Sequence, residues 1–355
     1  MSTDRWQAEL LIACACRLGE GPIWDAASGR LWWVDIEGCE LLSASLDGSG
    51  LRRFDLPEKT GSFALRELGG LIMAAERGWA FYEPETGAWL PLCDPEPERP
   101  RNRFNDGKCD AAGRFYAGTA SLDGEPTGSL YVLHPDLSWE RLLSGVVCSN
   151  GLAWSAGGEE LYYIDSYARS VDAIRLDRNA MSHPSRGIDG RHAGGGIDGD
   201  GDIDGIEGIE GSGGGRDGIG GSGGIDGDGG GLEGSGGING ESGGLERRSV
   251  ISYEGREALP DGMTIDAQGM LWVAEWDGWR VSRWNPHTGE PLGYVEVPAQ
   301  QVTSCAFGGP DGDVLLITTA REGLTEQELA RQPHAGGVFR ARVGIAGDSA
   351  HRFAG

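Results

Sequence analysis

Six polar residues, Glu20, Ser62, Asn105, Asn150, Asp261 and Ser304, share one offset: each stands five residues before a recurring turn, at Asp25, Glu67, Asp110, Ser155, Asp266 and Gly309. Four of the six are acids or amides. If the offset falls at the mouth of an innermost strand, Glu20, Asn105, Asn150 and Asp261 converge with two carboxylates and two amide carbonyls. Such hard oxygen donors, with water completing the shell, suit Ca²⁺, Mg²⁺ or Mn²⁺. Zn²⁺ usually recruits His or Cys, and neither stands at this offset. The competing account is local: Asn105-Asp106-Gly107, Asn150-Gly151 and Asp261-Gly262 are also common turn formers.

The elements that would position these residues recur along the chain. AASGRLWWVDI (26–36), RELGGLIMAAE (66–76), DAAGRFYAGTA (110–120), SAGGEELYYID (155–165), DAQGMLWVAEW (266–276) and GPDGDVLLITT (309–319) each join a glycine turn to a short apolar strand. Apart from one long gap they lie about 40–45 residues apart, the length of a four-stranded propeller blade. The strands are rich in aromatic and branched residues, as packing between neighbouring sheets requires. Helical periodicity is confined to a short stretch near Leu324–Arg331. The expected fold is all-β, a six-bladed β-propeller with a central metal site, forming a single domain over residues 1–355.

The long gap holds a segment unlike the rest. A large share of the chain's 63 glycines, and much of its net charge of −25, lies between Gly187 and Gly244. Few residues there can bury surface against chain entropy, so 185–245 is expected to be a disordered Gly/Asp-rich insertion within blade four. Its aspartates keep no nine-residue register, against a calcium β-roll. The remaining chain is moderately acidic, which disfavours nucleic acid and anionic membrane as partners. It has no apolar run long enough to span a bilayer and no signal-peptide pattern. The seven cysteines are odd in number without CxxC spacing, so free thiols and a cytoplasmic location are expected. No G-x-S-x-G motif supports a serine hydrolase; Gly145-Val-Val-Cys-Ser149 fails it. Nothing in the sequence specifies an oligomeric state.

The segments LGEGPIWD (18–25), RNRFNDGKCDAAGRFYAGT (101–119), SNGLAWS (149–155), YYIDSYARSVDA (162–173), LPDGMTIDAQGMLWVAEWDGWRV (259–281) and RQPHAGGVFR (331–340) resemble the regucalcin/gluconolactonase, or senescence marker protein, family. The resemblance implies a six-bladed propeller holding one divalent ion on its axis through Glu20, Asn150 and Asp261. It further implies that Arg103 and Asn105 hold a sugar, with Asp123, or else Glu125, as an acidic substrate contact. For Arg103 the plainer alternative is a surface ion pair with Glu96 or Glu98. The implied function is metal-dependent hydrolysis of a sugar lactone to the aldonic acid. The ion would polarise the lactone carbonyl and Asp261 would activate water. The alternative is a non-catalytic calcium-binding regulatory protein. The intact Arg103–Lys108 motif favours catalysis, because a calcium buffer has no need of it.

Overall fold

Each repeat glycine stands where the chain must reverse between the first and second strands of a sheet. The structure, a computed structural model, describes residues 4–176 and 245–355. Gly29, Gly69, Gly113, Gly158, Gly269 and Gly312 all adopt left-handed backbone, with φ between 66° and 90°, a region closed to most L-residues. The aspartates that open several turns satisfy the backbone there. Asp266 Oδ1 accepts from the N–H groups of Gln268 (2.9 Å) and Met270 (3.0 Å), and Asp110 Oδ1 does the same for Ala112 and Arg114.

Six antiparallel sheets result, arranged as a six-bladed β-propeller. Their innermost strands are Gly19–Asp25, Thr60–Leu65, Asn102–Cys109, Ser149–Trp154, Leu259–Ile265 and Val302–Gly308. The second strands, such as Arg30–Asp35 and Leu271–Trp276, carry apolar residues on both faces, in the runs Leu31–Val34 and Leu271–Ala274. The core is correspondingly six clusters, one between each pair of adjacent blades. Leu31 and Trp33 pack toward blade six, while Val34, on the opposite face, packs toward Phe63 and Met73 of blade two. Trp272 stands edge-on to Phe307 at 5.8 Å between blades five and six.

Ring closure uses both ends of the described chain. Asp4–Gln7 adds a fifth, parallel strand to blade five, pairing with Pro291–Glu296, and Glu9–Ile12 forms the outer strand of blade six against Val338–Arg342. The final residues cross the face carrying the repeat turns: Phe353 N–H donates to Leu65 O (2.8 Å), Ala354 N–H to Gly113 O (3.1 Å), and Arg352 reaches Asp25 at 2.5 Å.

In blade four, Ser170–Arg175 and Arg247–Ser252 pair antiparallel as third and fourth strands. The insertion expected over 185–245 lies outside the described residues, save Leu245. The expected short helix is Glu326–Arg331, started by a reciprocal cap between Thr325 and Glu328. All seven cysteines are free. Among the described residues no helix is long and apolar enough to cross a membrane.

Candidate metal and substrate site on the propeller axis

Every innermost strand is irregular at the same place. The register to the second strand shifts between Glu20/Ile23, Thr60/Ser62, Phe104/Gly107, Ser149/Leu152, Pro260/Met263 and Val302/Ser304. Such bulges re-aim a side chain and recur beside active sites. Here they fall on the six residues of the shared offset. Asn105-Asp106-Gly107, Asn150-Gly151 and Asp261-Gly262 therefore lie inside strands, and the turn account is not what the structure shows. Their glycines serve close approach instead. A Cβ on Gly151 would sit 2.7 Å from Asp261 O, and one on Gly262 would sit 2.2 Å from Ser304 Oγ.

The strands are stitched together near the axis. Asn105 Nδ2 donates to Ser149 O (2.9 Å), joining blades three and four, and Ser166 Oγ donates to Pro260 O (2.7 Å), joining four and five. Thr303 Oγ1 donates to Gly19 O (2.6 Å), joining six and one. Lys108 Nζ reaches from blade three to Met263 O in blade five at 2.6 Å.

Glu20, Asn150 and Asp261 are all buried, and they are electrostatically linked. Burial raises the Glu20 pKa well above the usual carboxylate range, and the charges of Asp261 and Asp106 add to that; Gly21 N–H and Arg103 oppose it. Asp261 is raised likewise by burial and then by Asp106, with the Asn150 side chain and Gly262 N–H opposing. Asp106, named above only as a turn former, is thus a third axial carboxyl, itself raised by burial with Lys108 opposing. Burial pushes the Lys108 ammonium down.

The two asparagines differ in a way that their shared offset does not reveal. Asn105 is committed at both ends: Oδ1 accepts from Arg103 Nη1 (2.8 Å) while Nδ2 donates to Ser149 O. Asn150 Nδ2 donates to Ser166 Oγ (2.9 Å), and its Oδ1 is buried without a hydrogen-bond partner among the described residues. A buried oxygen acceptor left unpaired costs about 1–3 kcal/mol, and clustered buried carboxyls without a counter-charge cost more. A hard divalent cation answers both, so this donor set fits one. Among the described residues no group of three His, Cys, Asp or Glu is disposed to hold a metal; the candidate set is two carboxylates and an amide. Cys148 is the nearby soft atom, with Sγ 3.8 Å from Asn105 Nδ2 and its thiol pushed up to about 12 by burial and by Asp261.

Arg103 is buried and makes no ion pair with Glu96 or Glu98, which corrects the surface-pair alternative. Glu96 instead accepts from Asn102 Nδ2 (2.7 Å) and Tyr131 OH (2.8 Å). Arg103 Nη1 also donates to Phe104 O (2.9 Å), and Nε has no partner among the described residues. Its charge lowers the pKa of Glu20 and of Cys148, so it lies beside the axial carboxyls. Asp123 is not brought into this buried set. It sits half-exposed after the strand Phe115–Ser121, paired with Arg101 at 2.9 Å, and Glu125 is exposed. The Asp123 turn does adjoin the Asn150 segment, since Ser121 N–H donates to Val147 O (2.9 Å).

Comparison with known proteins matches residues 18–206 and 238–321 to the SMP-30/Gluconolactonase/LRE-like region family. The chain is 33% identical to regucalcin of Oryctolagus cuniculus over 354 residues, covering 98% of each chain. It is 33% identical over 339 residues to a Bacillus subtilis protein named "Putative sugar lactone lactonase YvrE", covering 95% of each. Among solved structures, a calcium-binding regucalcin from Agrobacterium tumefaciens superposes with a TM-score of 0.77 at 22% identity, covering 99% of both chains, and shares the fold. With its six bladed sheets, its axial bulges and the family match running through every one of its site motifs, this chain belongs to the SMP-30/gluconolactonase family.

Proposed function

We propose that this protein hydrolyses a sugar lactone to the aldonic acid, using one divalent cation held by Glu20, Asn150 and Asp261. The observation that carries the proposal is the unpartnered, buried Asn150 Oδ1 beside two buried carboxyls whose ionisation burial opposes. Membership of a family of gluconolactonase- and sugar-lactonase-like proteins supports the reaction class. A bound divalent cation supplies Lewis acidity at the lactone carbonyl and favours the ionised carboxylates.

The side chains have separable tasks. Asp261 has two carboxylate oxygens, so one can serve the cation while the other takes a proton from the attacking water. Among the described residues Arg103 makes no hydrogen bond through Nη2 or Nε, and they are the donors available to ring and hydroxyl oxygens of the sugar. Asn105 holds the guanidinium through Oδ1, which fixes the donors before substrate arrives. Asp123 is the acidic substrate contact in this proposal. Its exposed pair with Arg101 is worth only about 0–1 kcal/mol, so exchange for a sugar hydroxyl costs little.

The test is lactone hydrolysis after exhaustive chelation. Turnover should vanish and return with Ca²⁺, Mg²⁺, Mn²⁺ or Zn²⁺; undiminished turnover in the chelated protein would refute the proposal. Tight calcium binding with no turnover above the spontaneous rate across a lactone panel would instead mark a non-catalytic binding protein.

A further inference from the structure

Asn150 can serve a cation through Oδ1 only. A primary amide can rotate by half a turn with almost no change of shape, replacing an acceptor by two donors. An NH₂ group turned toward the axis would repel a cation, so something must fix the orientation. Burial alone does not, because the two orientations fill the same space.

Ser166 does. It sits in a 3-10 turn, Ser166–Ala168, that follows the second strand of blade four, buried to 5% exposure. Its Oγ lies 2.7 Å from Pro260 O and 2.9 Å from Asn150 Nδ2. A hydroxyl has one hydrogen, and a carbonyl oxygen can only accept. The hydrogen is therefore spent on Pro260, and Ser166 offers Asn150 lone pairs alone. Only the NH₂ end of the amide can meet them, which leaves Oδ1 as the unpartnered atom. The turn is itself held. Ser166 N–H donates to Cys148 O (3.1 Å), and the preceding Asp165 accepts from the N–H groups of Val147, Cys148 and Tyr167.

We infer that Ser166 is a positioning residue for the cation site, setting the amide orientation of Asn150 and tying it to the Pro260 carbonyl beside Asp261 in the next blade. The inference rests on the proposed cation site. It goes further by assigning a role to a residue that touches neither substrate nor ion. A hydrogen bond that merely held blades four and five together would have no reason to couple to the chemistry of residue 150, and that difference is measurable.

The experiment is calorimetric titration of the full chain, stripped with chelator, with Ca²⁺ and with Mn²⁺. Ser166→Ala should weaken binding about 10–100-fold, the range for lost support behind a metal ligand. In an Asn150→Asp background the same change should cost under about 3-fold, because a carboxylate presents oxygen in either orientation. Ser166→Thr and Ser166→Val, nearly equal in shape, supply a second contrast that does not depend on the Ala variant folding. The Thr variant should bind like the parent relative to the Val variant, which should lose about 10-fold or more. Equal loss in the parent and Asn150→Asp backgrounds, or equal affinity of the Thr and Val variants, overturns the inference while leaving the cation site standing. Failure of the parent protein to bind any divalent ion sinks the cation site itself, and the role of Ser166 with it.

Discussion

Adding a divalent cation to the stripped protein should raise its melting temperature, and by more at pH 8 than at pH 5. Glu20, Asp106 and Asp261 all have carboxyl pKa values raised by burial in the folded chain. Below about pH 3 they are protonated in both folded and unfolded states and cost nothing. As pH rises from there, the unfolded chain ionises first, binds fewer protons than the folded one, and is favoured. Stability of the cation-free protein therefore falls as pH climbs above the ordinary carboxylate range, until the folded groups ionise in turn. A bound cation reverses this by favouring the ionised forms. At a hundredfold excess over the dissociation constant it contributes about 2.7 kcal/mol. With an unfolding entropy of about 2.1 cal/mol/K per residue over the roughly 280 described residues, that is a rise of about 5 °C. At pH 5 protons compete for the same oxygens, and the rise should fall to less than about half of that. Scanning calorimetry with and without Ca²⁺ or Mn²⁺ at the two pH values reads both quantities. No cation-dependent shift at either pH, or equal shifts at both, would show that these carboxyls do not meet a cation.

Four further outcomes are expected. Asp261→Asn should reduce kcat/KM for a sugar lactone by about 10²–10⁴-fold, read by acid release, and should also diminish the cation-dependent melting shift. Arg103→Lys should raise KM by about tenfold with cation affinity unchanged, because an ammonium cannot reproduce the forked donors. Gly262→Ala places a methyl 2.2 Å from Ser304 Oγ and should cost about 1–3 kcal/mol in denaturant unfolding. Removing residues 187–244 should leave turnover and melting temperature nearly unchanged, since Ser170–Arg175 and Arg247–Ser252 pair directly; a collapse of folding on deletion would refute the reading of that segment as an insertion.

The propeller was legible because one blade makes the same demands six times: a left-handed glycine in the turn, an apolar second strand, a polar residue at the mouth. Periodicity carries all three. What periodicity cannot carry is pairing between distant segments. Nothing local in Asp4–Gln7 or Glu9–Ile12 says that they close blades five and six, because their partners lie near Val295 and Phe339. The site was legible to the level of donor type. The shared offset made Asn105 and Asn150 equivalent candidates, and only the hydrogen bonds separate a committed oxygen from a free one. Asp106 looked like a turn residue because Asp before Gly is common in turns. In the strand it is a third buried carboxyl, one position past the offset. Its signal was the set of polar residues Asn105, Asp106 and Lys108 in a segment otherwise patterned as an innermost strand. Ser166 had no signal of its own, since a serine after a strand is ordinary.

Closure and chemistry share one path through the chain. The three proposed ligands stand on blades one, four and five, so their spacing depends on how the ring is closed. Blade six lies between five and one, and its outer strand is Glu9–Ile12. From Ile12 the chain enters the innermost strand of blade one, at Gly19 and Glu20. There Thr303 of blade six donates to Gly19 O, one residue before the ligand. A Cβ on Gly19 would meet Thr319 O at 2.9 Å, so blade one runs close against blade six at this point. Burying repelling carboxyls favours spreading of the blades, and the outer strands from residues 4–12 oppose it from the rim. The position of Glu20 relative to Asp261 therefore depends on pairing at the edges of blades five and six as well as on the residues around the axis.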